Sequence, residues 1–438
     1  MESEDQGTAA SRRPPLSTMF RGATGAVLVL LCLMYFIEYI DRVNLSVAGP
    51  LIKREMGLSN IGLGLAFSAF GYCYAATQLL GGYLGDRIGA RLALTILGLV
   101  WAFGTVATGL AGGLLMLIGA RFLVGLGEAG TLPCAARVIT GWVAAERRGA
   151  AQGFAHAAAR LGASVTPLLM VMLMSWQGWR AAFYLLGAAS LVWVAAWAVY
   201  FRDDPKSHRF VTARELARLP PYQPAVAGAA AVPWGPVVRR MLPTTIVFFC
   251  HAWTLWLYLT WLPTFFHAAY HLDIKQSAIF TSIAFFGGMI GDVAGGVLTD
   301  LIFRRTGSLA KARRDVVIGA FSGSLLCLAV VMLERGPAVI AASLAFSLFF
   351  LEMAEAPIWA VPSDVAPRYA ATAGGILSTA AGLAAIVSPL AFGVVSQLSG
   401  SYVLPFLLSI LLLAAGIIVS FWIRADVALA ESPDARPR

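Results

Sequence analysis

Three ionisable residues interrupt the apolar run from Ala26 to Leu51: Glu38, Asp41 and Arg42, in the stretch IEYIDRVNLSV. Inside a bilayer each such charge costs about 2.5–3.5 kcal/mol on insertion scales, so packing alone does not account for them. Asp41 and Arg42 are neighbours and point about 100° apart on a helix. One can join a charge network while the other faces a cavity. The planar fork of Arg42 suits a carboxylate bidentately, and Glu38 lies one helical turn before it. In RFLVGLGEAGTLP, Arg121, Gly125 and Glu128 stand at i, i+4 and i+7 and share one helix face. Gly125 leaves room there for the two long side chains or for a neighbouring helix. Two readings are open for Arg121 and Glu128. One is a structural ion pair with the first helix; the other is a carboxylate that exchanges a proton, since desolvation favours the neutral form of a carboxyl.

Further polar residues punctuate other apolar runs. GFAHAAAR places His156 and Arg160 on one face with Gly153. His156 is either a hydrogen-bonded packing residue or a cavity residue that contacts substrate and titrates in the physiological range. CHAWTLWLYLTWLP carries His251, Trp253, Trp256, Tyr258 and Trp261, an aromatic cluster read as interfacial anchors, core or cavity lining. Tyr72 and Gln78 lie among small residues, and Tyr72 is a candidate hydrogen-bond donor to a ligand. In LEMAEAPIWAVP, Glu352, Glu355 and Trp359 fall at i, i+3 and i+7, and Asp292 sits in GMIGDVAGG. Acids in such runs must be shared with a cation, a proton or water.

The elements that position these groups follow from composition. The chain is 438 residues long, 59% hydrophobic and only 13% charged. Soluble domains carry about 25% charged residues. Apolar runs of spanning length, roughly 20 residues, recur near 22–50, 61–84, 92–111, 114–139, 148–174, 180–200, 242–267, 277–299, 315–333, 337–361, 371–395 and 401–423. The fold expected is an all-α polytopic membrane protein with twelve transmembrane helices in two six-helix pseudo-symmetric halves. The divisions are a tail (1–20), a first bundle (21–200), a Pro- and Ala-rich linker (201–241), a second bundle (242–424) and a second tail (425–438). The first apolar run is too long for the h-region of a signal peptide. Most of the 32 Lys and Arg lie in the tails, the linker and alternate loops; Lys53, Arg54, Arg180, Lys275 and Arg335 fall on the other side. By the positive-inside rule both termini are expected in the cytoplasm. The net charge of +9 thus reflects orientation and contact with lipid, not nucleic acid. Cys32, Cys73, Cys134, Cys250 and Cys327 stand singly, without metal-ligand spacing, and read as core residues.

GGYLGDRIGAR from Gly81 returns as GGVLTDLIFRR from Gly295, close to half a chain later and again after the second span of its half. A duplicated bundle is a transporter architecture, with its substrate site between the repeats. GYLGDRIGAR resembles the loop motif of the major facilitator superfamily. More narrowly, YIDRVNLSVA, RFLVGLGEAGTLP, ERRGAAQG, GWRAAF and WAVPSDVAP resemble the anion:cation symporter family, which includes bacterial sugar-acid/proton symporters. The resemblance runs from about residue 25 to 425. It implies secondary active transport of a small organic anion, a sugar acid or other carboxylate, by proton symport with alternating access. It also implies a bacterial inner membrane, no cofactor and a monomer. It assigns Arg42 to the substrate carboxylate, Glu128 to proton exchange, and Asp41 with Arg121 to one network. It favours Trp253 and Tyr258 near the cavity. Glu38 stands where relatives more often carry Asn. Ser378 stands where an Asn usually contacts substrate, which implies a larger or less polar pocket. The loop motif places Gly82, Asp86, Arg87, Arg91 and, in its repeat, Asp300 at a gate, with Asp86 capping a neighbouring helix.

Two other functions compete. One is proton-coupled export of a drug or other organic compound, which the carboxylate-suited Arg42 disfavours. The other is a polytopic membrane enzyme. No G-x-S-x-G, H-E-x-x-H, C-x-x-C or phosphate-loop motif occurs in the sequence, so an enzyme is not expected.

Overall fold

The apolar runs all form helices in a computed structural model that describes residues 19–144, 147–220, 233–334, 336–366, 370–426 and 429. The side chains of 78–84, 86, 370 and 371 also lie outside the described residues. The first half comprises α1 (Gly22–Met56), α2 (Asn60–Ile88), α3 (Ala90–Leu110), α4 (Leu114–Glu128), α5 (Thr131–Trp142) and α6 (Arg148–Tyr200). After the one-turn helix α7 (Ala213–Leu216), the second half comprises α8 (Trp234–Tyr270), α9 (Ile274–Thr306), α10 (Val316–Leu333), α11 (Pro337–Met353), α12 (Glu355–Val365), α13 (Ala370–Ser399) and α14 (Pro405–Ser420).

These helices make twelve crossings. The long α6 is two spans, broken where Gln177 and Gly178 leave helical geometry; Gly178 takes φ +80°, which a side chain would strain. The fourth span breaks between α4 and α5, directly after Glu128, and the tenth between α11 and α12, beside Glu352 and Glu355. Both breaks fall next to intramembrane acids, where polar groups can meet freed backbone. α8 begins at Trp234, directly after Pro233 and inside the segment read from sequence as linker, and runs on through Arg239 and Arg240.

The linker docks on the first half. Glu215 forms a capping box with Thr212 on α7, and its Oε1 accepts the Ala23 N–H at the start of α1 (3.0 Å). Burial pushes the Glu215 carboxyl up, but hydrogen bonds from Thr212 and Ala23 outweigh it and hold the group below its ordinary range. Asp203 accepts the Arg91 N–H (3.2 Å). Arg91 also clamps the Ala198 carbonyl with Nε and Nη2 (2.9 and 2.7 Å). This proposed gating residue thus ties α3 to the end of α6. Arg87 and Asp300 are exposed; Gly82 and the Asp86 side chain lie outside the described residues.

The halves meet through α2 on α13, α6 on α9 and α1 on α8. One end of this seam is closed by hydrogen bonds. The Asn60 N–H donates to Gln397 (3.0 Å), its side-chain amide to Ser396 (3.2 Å), and the Tyr402 hydroxyl donates to Asn60 Oδ1 (3.0 Å). Lys53 joins Tyr402 (3.2 Å) and Asn60. Deeper in, Ser68 of α2 donates to the Ile386 carbonyl of α13 (2.6 Å), and within the second half Trp261 donates to that of Pro389 (2.9 Å).

Within the first half, α4 presses on α2 at Gly125, where an added Cβ would overlap the Phe70 carbonyl. Of the two uses open to this glycine, the structure shows helix approach. Overpacking such a contact costs about 1–3 kcal/mol. Gly125→Ala is therefore expected to lower the melting temperature of the purified protein. An unchanged melt would mean that α2 shifts aside freely.

Candidate functional site

Two charged clusters sit at mid-helix, each with a guanidinium near the Tyr39 ring. The first lies within the first half. Arg42 Nε donates to Glu128 Oε2 (2.7 Å), and both side chains are buried. Glu38 lies 4.0 Å from Arg42 Nη2, and that nitrogen makes no hydrogen bond among the described residues. Asp41 points elsewhere, as the helical angle requires: its Oδ1 accepts from Asn44 (2.9 Å), and its carbonyl accepts from Arg121 Nη1 (3.3 Å). Aromatic faces wrap the Arg42 guanidinium. The Tyr39, Tyr74 and Phe70 centroids lie 4.6, 5.1 and 5.7 Å away, and Phe70 is also 5.5 Å from Arg121. Such contacts favour a cation once water is excluded.

Glu128 hydrogen-bonds Arg42 of α1, as an ion pair with the first helix requires, and not Arg121 on its own helix. Positions i and i+7 lie two turns apart on one helix, whereas α1 and α4 face each other at this level. The ion pair is thus formed by the residue expected to hold substrate.

The second cluster spans the seam. Arg160 on α6 reaches across to Glu352 Oε2 (2.6 Å), Asp292 Oδ2 (3.4 Å) and Glu355 Oε1 (3.7 Å). His251 Nδ1 lies 3.5 Å from Glu355 Oε2, and Trp359 donates to Glu355 (3.0 Å). The Tyr39 centroid is 5.9 Å from Arg160. A small recess opens here, lined by Arg160 and Ala163 from the first half and by Leu255, Leu259, Phe285 and Glu352, among others, from the second. His156, one turn before Arg160, is exposed, hydrogen-bonds Gln152 (3.1 Å) and packs edge-on against Tyr35.

Other candidates lie apart from both clusters. Tyr72 is 46% exposed and packs against Phe122; Tyr74, about 200° round α2, is the residue that meets Arg42. Tyr258 is buried against Phe406 of α14, one position round from Leu259, which does line the recess. Trp253 is buried, with its carbonyl accepting from Ser388 (2.7 Å). Ser378 turns its hydroxyl back to the Gly374 carbonyl (3.1 Å). Gln78 lies among the side chains outside the described residues. Trp256, named from sequence only as part of the aromatic cluster, faces Phe70 across the seam (5.6 Å). Tyr39 and Tyr74 were not singled out by sequence reasoning. Their signal was spacing, since Tyr39 stands at i−3 from Arg42.

The sequence matches the Major Facilitator Superfamily over residues 31–389. It is 45% identical to the probable sulfoacetate transporter SauU of Cupriavidus necator, over 94% of this chain and 96% of that protein. It is 28% identical to the probable galactarate/D-glucarate transporter GudP of Bacillus subtilis, over 86% of each. Among solved structures, a bacterial homologue of the human lysosomal transporter Spinster, inward-facing and unoccupied, superposes with a TM-score of 0.74 at 16% identity, covering 92% of this chain and 97% of that one. That likeness speaks for the fold alone. With a duplicated twelve-helix bundle and a family match over most of its length, the chain belongs to the Major Facilitator Superfamily and is a multi-pass membrane transporter, not an enzyme.

Proposed function

We propose that the protein symports protons with a small organic dianion that carries a carboxylate and a second acidic group, a sulfonate-carboxylate such as sulfoacetate being the first choice. One observation carries this reading: the guanidinium groups of Arg42 and Arg160 lie 4.6 and 5.9 Å from the same Tyr39 ring. A small molecule resting on Tyr39 is within reach of both, so its two anionic ends can each meet a cation. The 45% identical relative named as a probable sulfoacetate transporter supports the same class. A rigid two-anchor site rejects compounds with one acid, because one buried guanidinium is then left without its anion.

Proton coupling follows from competition. The carboxylate of Glu128 and the substrate anion seek the same guanidinium, so a proton on Glu128 releases Arg42 to substrate. Asp41 and Arg121 hold α1 against α4 at this point. Alternating access is rocking of the two halves about the seam. The closed end at Asn60, Gln397 and Tyr402 is the outer one if the basic loops face the cytoplasm, which puts both termini inside an inner (plasma) membrane.

A ligand that binds only the folded state stabilises it by about 2.7 kcal/mol at a hundredfold excess over Kd. Sulfoacetate is expected to raise the melting temperature of the purified protein, and acetate or methanesulfonate at the same concentration to do little. Equal stabilisation by the single-acid compounds would overturn the two-anchor site.

A further inference from the structure

The charges around Arg160 do not balance. Asp292 from α9, Glu352 from α11 and Glu355 from α12 face one guanidinium. His251 from α8 and His156, one turn from Arg160 on α6, are the other titratable cations that face the group, and the Tyr39 ring from α1 covers Arg160. Three carboxylates against one fixed cation leave an excess of negative charge inside an apolar bundle. Burial of that excess is opposed by desolvation, which no remaining fixed partner offsets. A second observation marks where relief is needed. His251 is fully buried, and neither ring nitrogen has a hydrogen-bond partner among the described residues. Its Nδ1 is 3.5 Å from Glu355, and nitrogen and carboxylate oxygens of His251, Glu352 and Glu355 all lie within 4.8 Å of one another. A metal ion would have to share Glu352 with the Arg160 guanidinium, which stands 2.6 Å away. A proton needs no such vacancy and lowers the excess charge by one.

We infer that Glu352, Glu355 and His251 form a second proton-binding site, in the second half of the molecule, whose occupancy is linked to the anion held by Arg160. Glu352 holds Arg160 when the substrate is absent. When the substrate's second acid takes Arg160, Glu352 loses its cation and accepts a proton, shared with Glu355 and His251. The proton arrives from the aqueous side to which the recess is open and leaves on the other side when Arg160 returns. The transporter then moves one proton through Glu128 and another through this site with each dianion.

This inference rests on the proposed symport, and the test separates the two. In proteoliposomes with the membrane voltage clamped at zero, accumulation at equilibrium rises by a factor of about ten per coupled proton for each unit of imposed pH gradient. The ratio does not depend on how much protein folds or how fast it turns over. With sulfoacetate, wild type is expected to give about a hundredfold accumulation per pH unit. Glu352→Gln and Glu355→Gln are each expected to give about tenfold, and neither is expected to respond to a chelator. Loss of all pH-driven accumulation in wild type would sink the symport reading itself. A tenfold ratio in wild type, or a hundredfold ratio retained by both variants, would leave symport standing and overturn the second site, as would loss of transport on removal of metal.

Discussion

Arg42→Ala should abolish measurable binding of the organic dianion, a loss of at least about a hundredfold in affinity by titration calorimetry. Truncating one member of a buried, hydrogen-bonded charge pair costs about 2–5 kcal/mol in binding systems. Arg42 lies 4.6 Å from the Tyr39 centroid, and its Nη2 makes no hydrogen bond among the described residues while Nε engages Glu128. Arg42→Lys should recover little, since an ammonium cannot hold Glu128 and present a planar fork together. The alanine variant also strands the buried Glu128 and Glu38 carboxylates, so it should lose stability as well. That confusion is resolved by the double variant Arg42→Ala with Glu128→Gln. It should regain melting temperature without regaining substrate. Unchanged affinity in Arg42→Ala would remove Arg42 from the site.

How far this site could be read from sequence differs from residue to residue. The twelve spans were legible because a helix that crosses a bilayer needs a long apolar run, and such runs have few other uses. The divergence of Asp41 and Arg42 was legible too, because it follows from the helical angle alone. The first helix was legible as a partner for the charges of the fourth, but the residue on it that meets Glu128 was not. Arg42 is 86 residues away, and periodicity relates positions on one helix but not the facing surfaces of two. The aromatic residues show the same limit from the other side. Tyr39 and Tyr74 line the site while Tyr72 and Tyr258 do not, although all four are tyrosines in apolar helices. Only the packing of α1 and α2 on α4 and of α8 on α14 decides which rotation faces inward. The breaks after Glu128 and at Ala354 were likewise hidden, since both stretches are continuous in hydropathy. Arg160 was found as a substrate candidate, but its three acidic partners come from three separate helices, α9, α11 and α12. Composition revealed those acids as costly without revealing that they converge.

Glu128→Gln should separate binding from accumulation. Arg42 Nε and Glu128 lie 2.7 Å apart, and under the proposed mechanism the substrate anion competes with Glu128 for Arg42, with protonation of Glu128 deciding in favour of substrate. Linkage makes the effect reciprocal: a proton on Glu128 tightens substrate binding, and bound substrate raises the affinity of Glu128 for its proton. Wild-type affinity should therefore weaken as pH rises and the carboxylate regains Arg42. Glutamine keeps the shape of the protonated acid and cannot ionise. Binding to Glu128→Gln should lose the part of the pH dependence that belongs to Glu128, and the variant should still exchange labelled for unlabelled substrate across proteoliposomes, since exchange requires no net proton movement. Uphill accumulation should fall by about tenfold for each unit of imposed pH gradient, the equivalent of one coupled proton. Asp41 accepts from Asn44 through Oδ1 while Oδ2 has no hydrogen-bond partner among the described residues, so it is the next carboxyl to test. If Glu128→Gln concentrates substrate to the wild-type level under the same gradient, the proton does not travel through Glu128, and the 2.7 Å pair with Arg42 is a structural tie between α1 and α4.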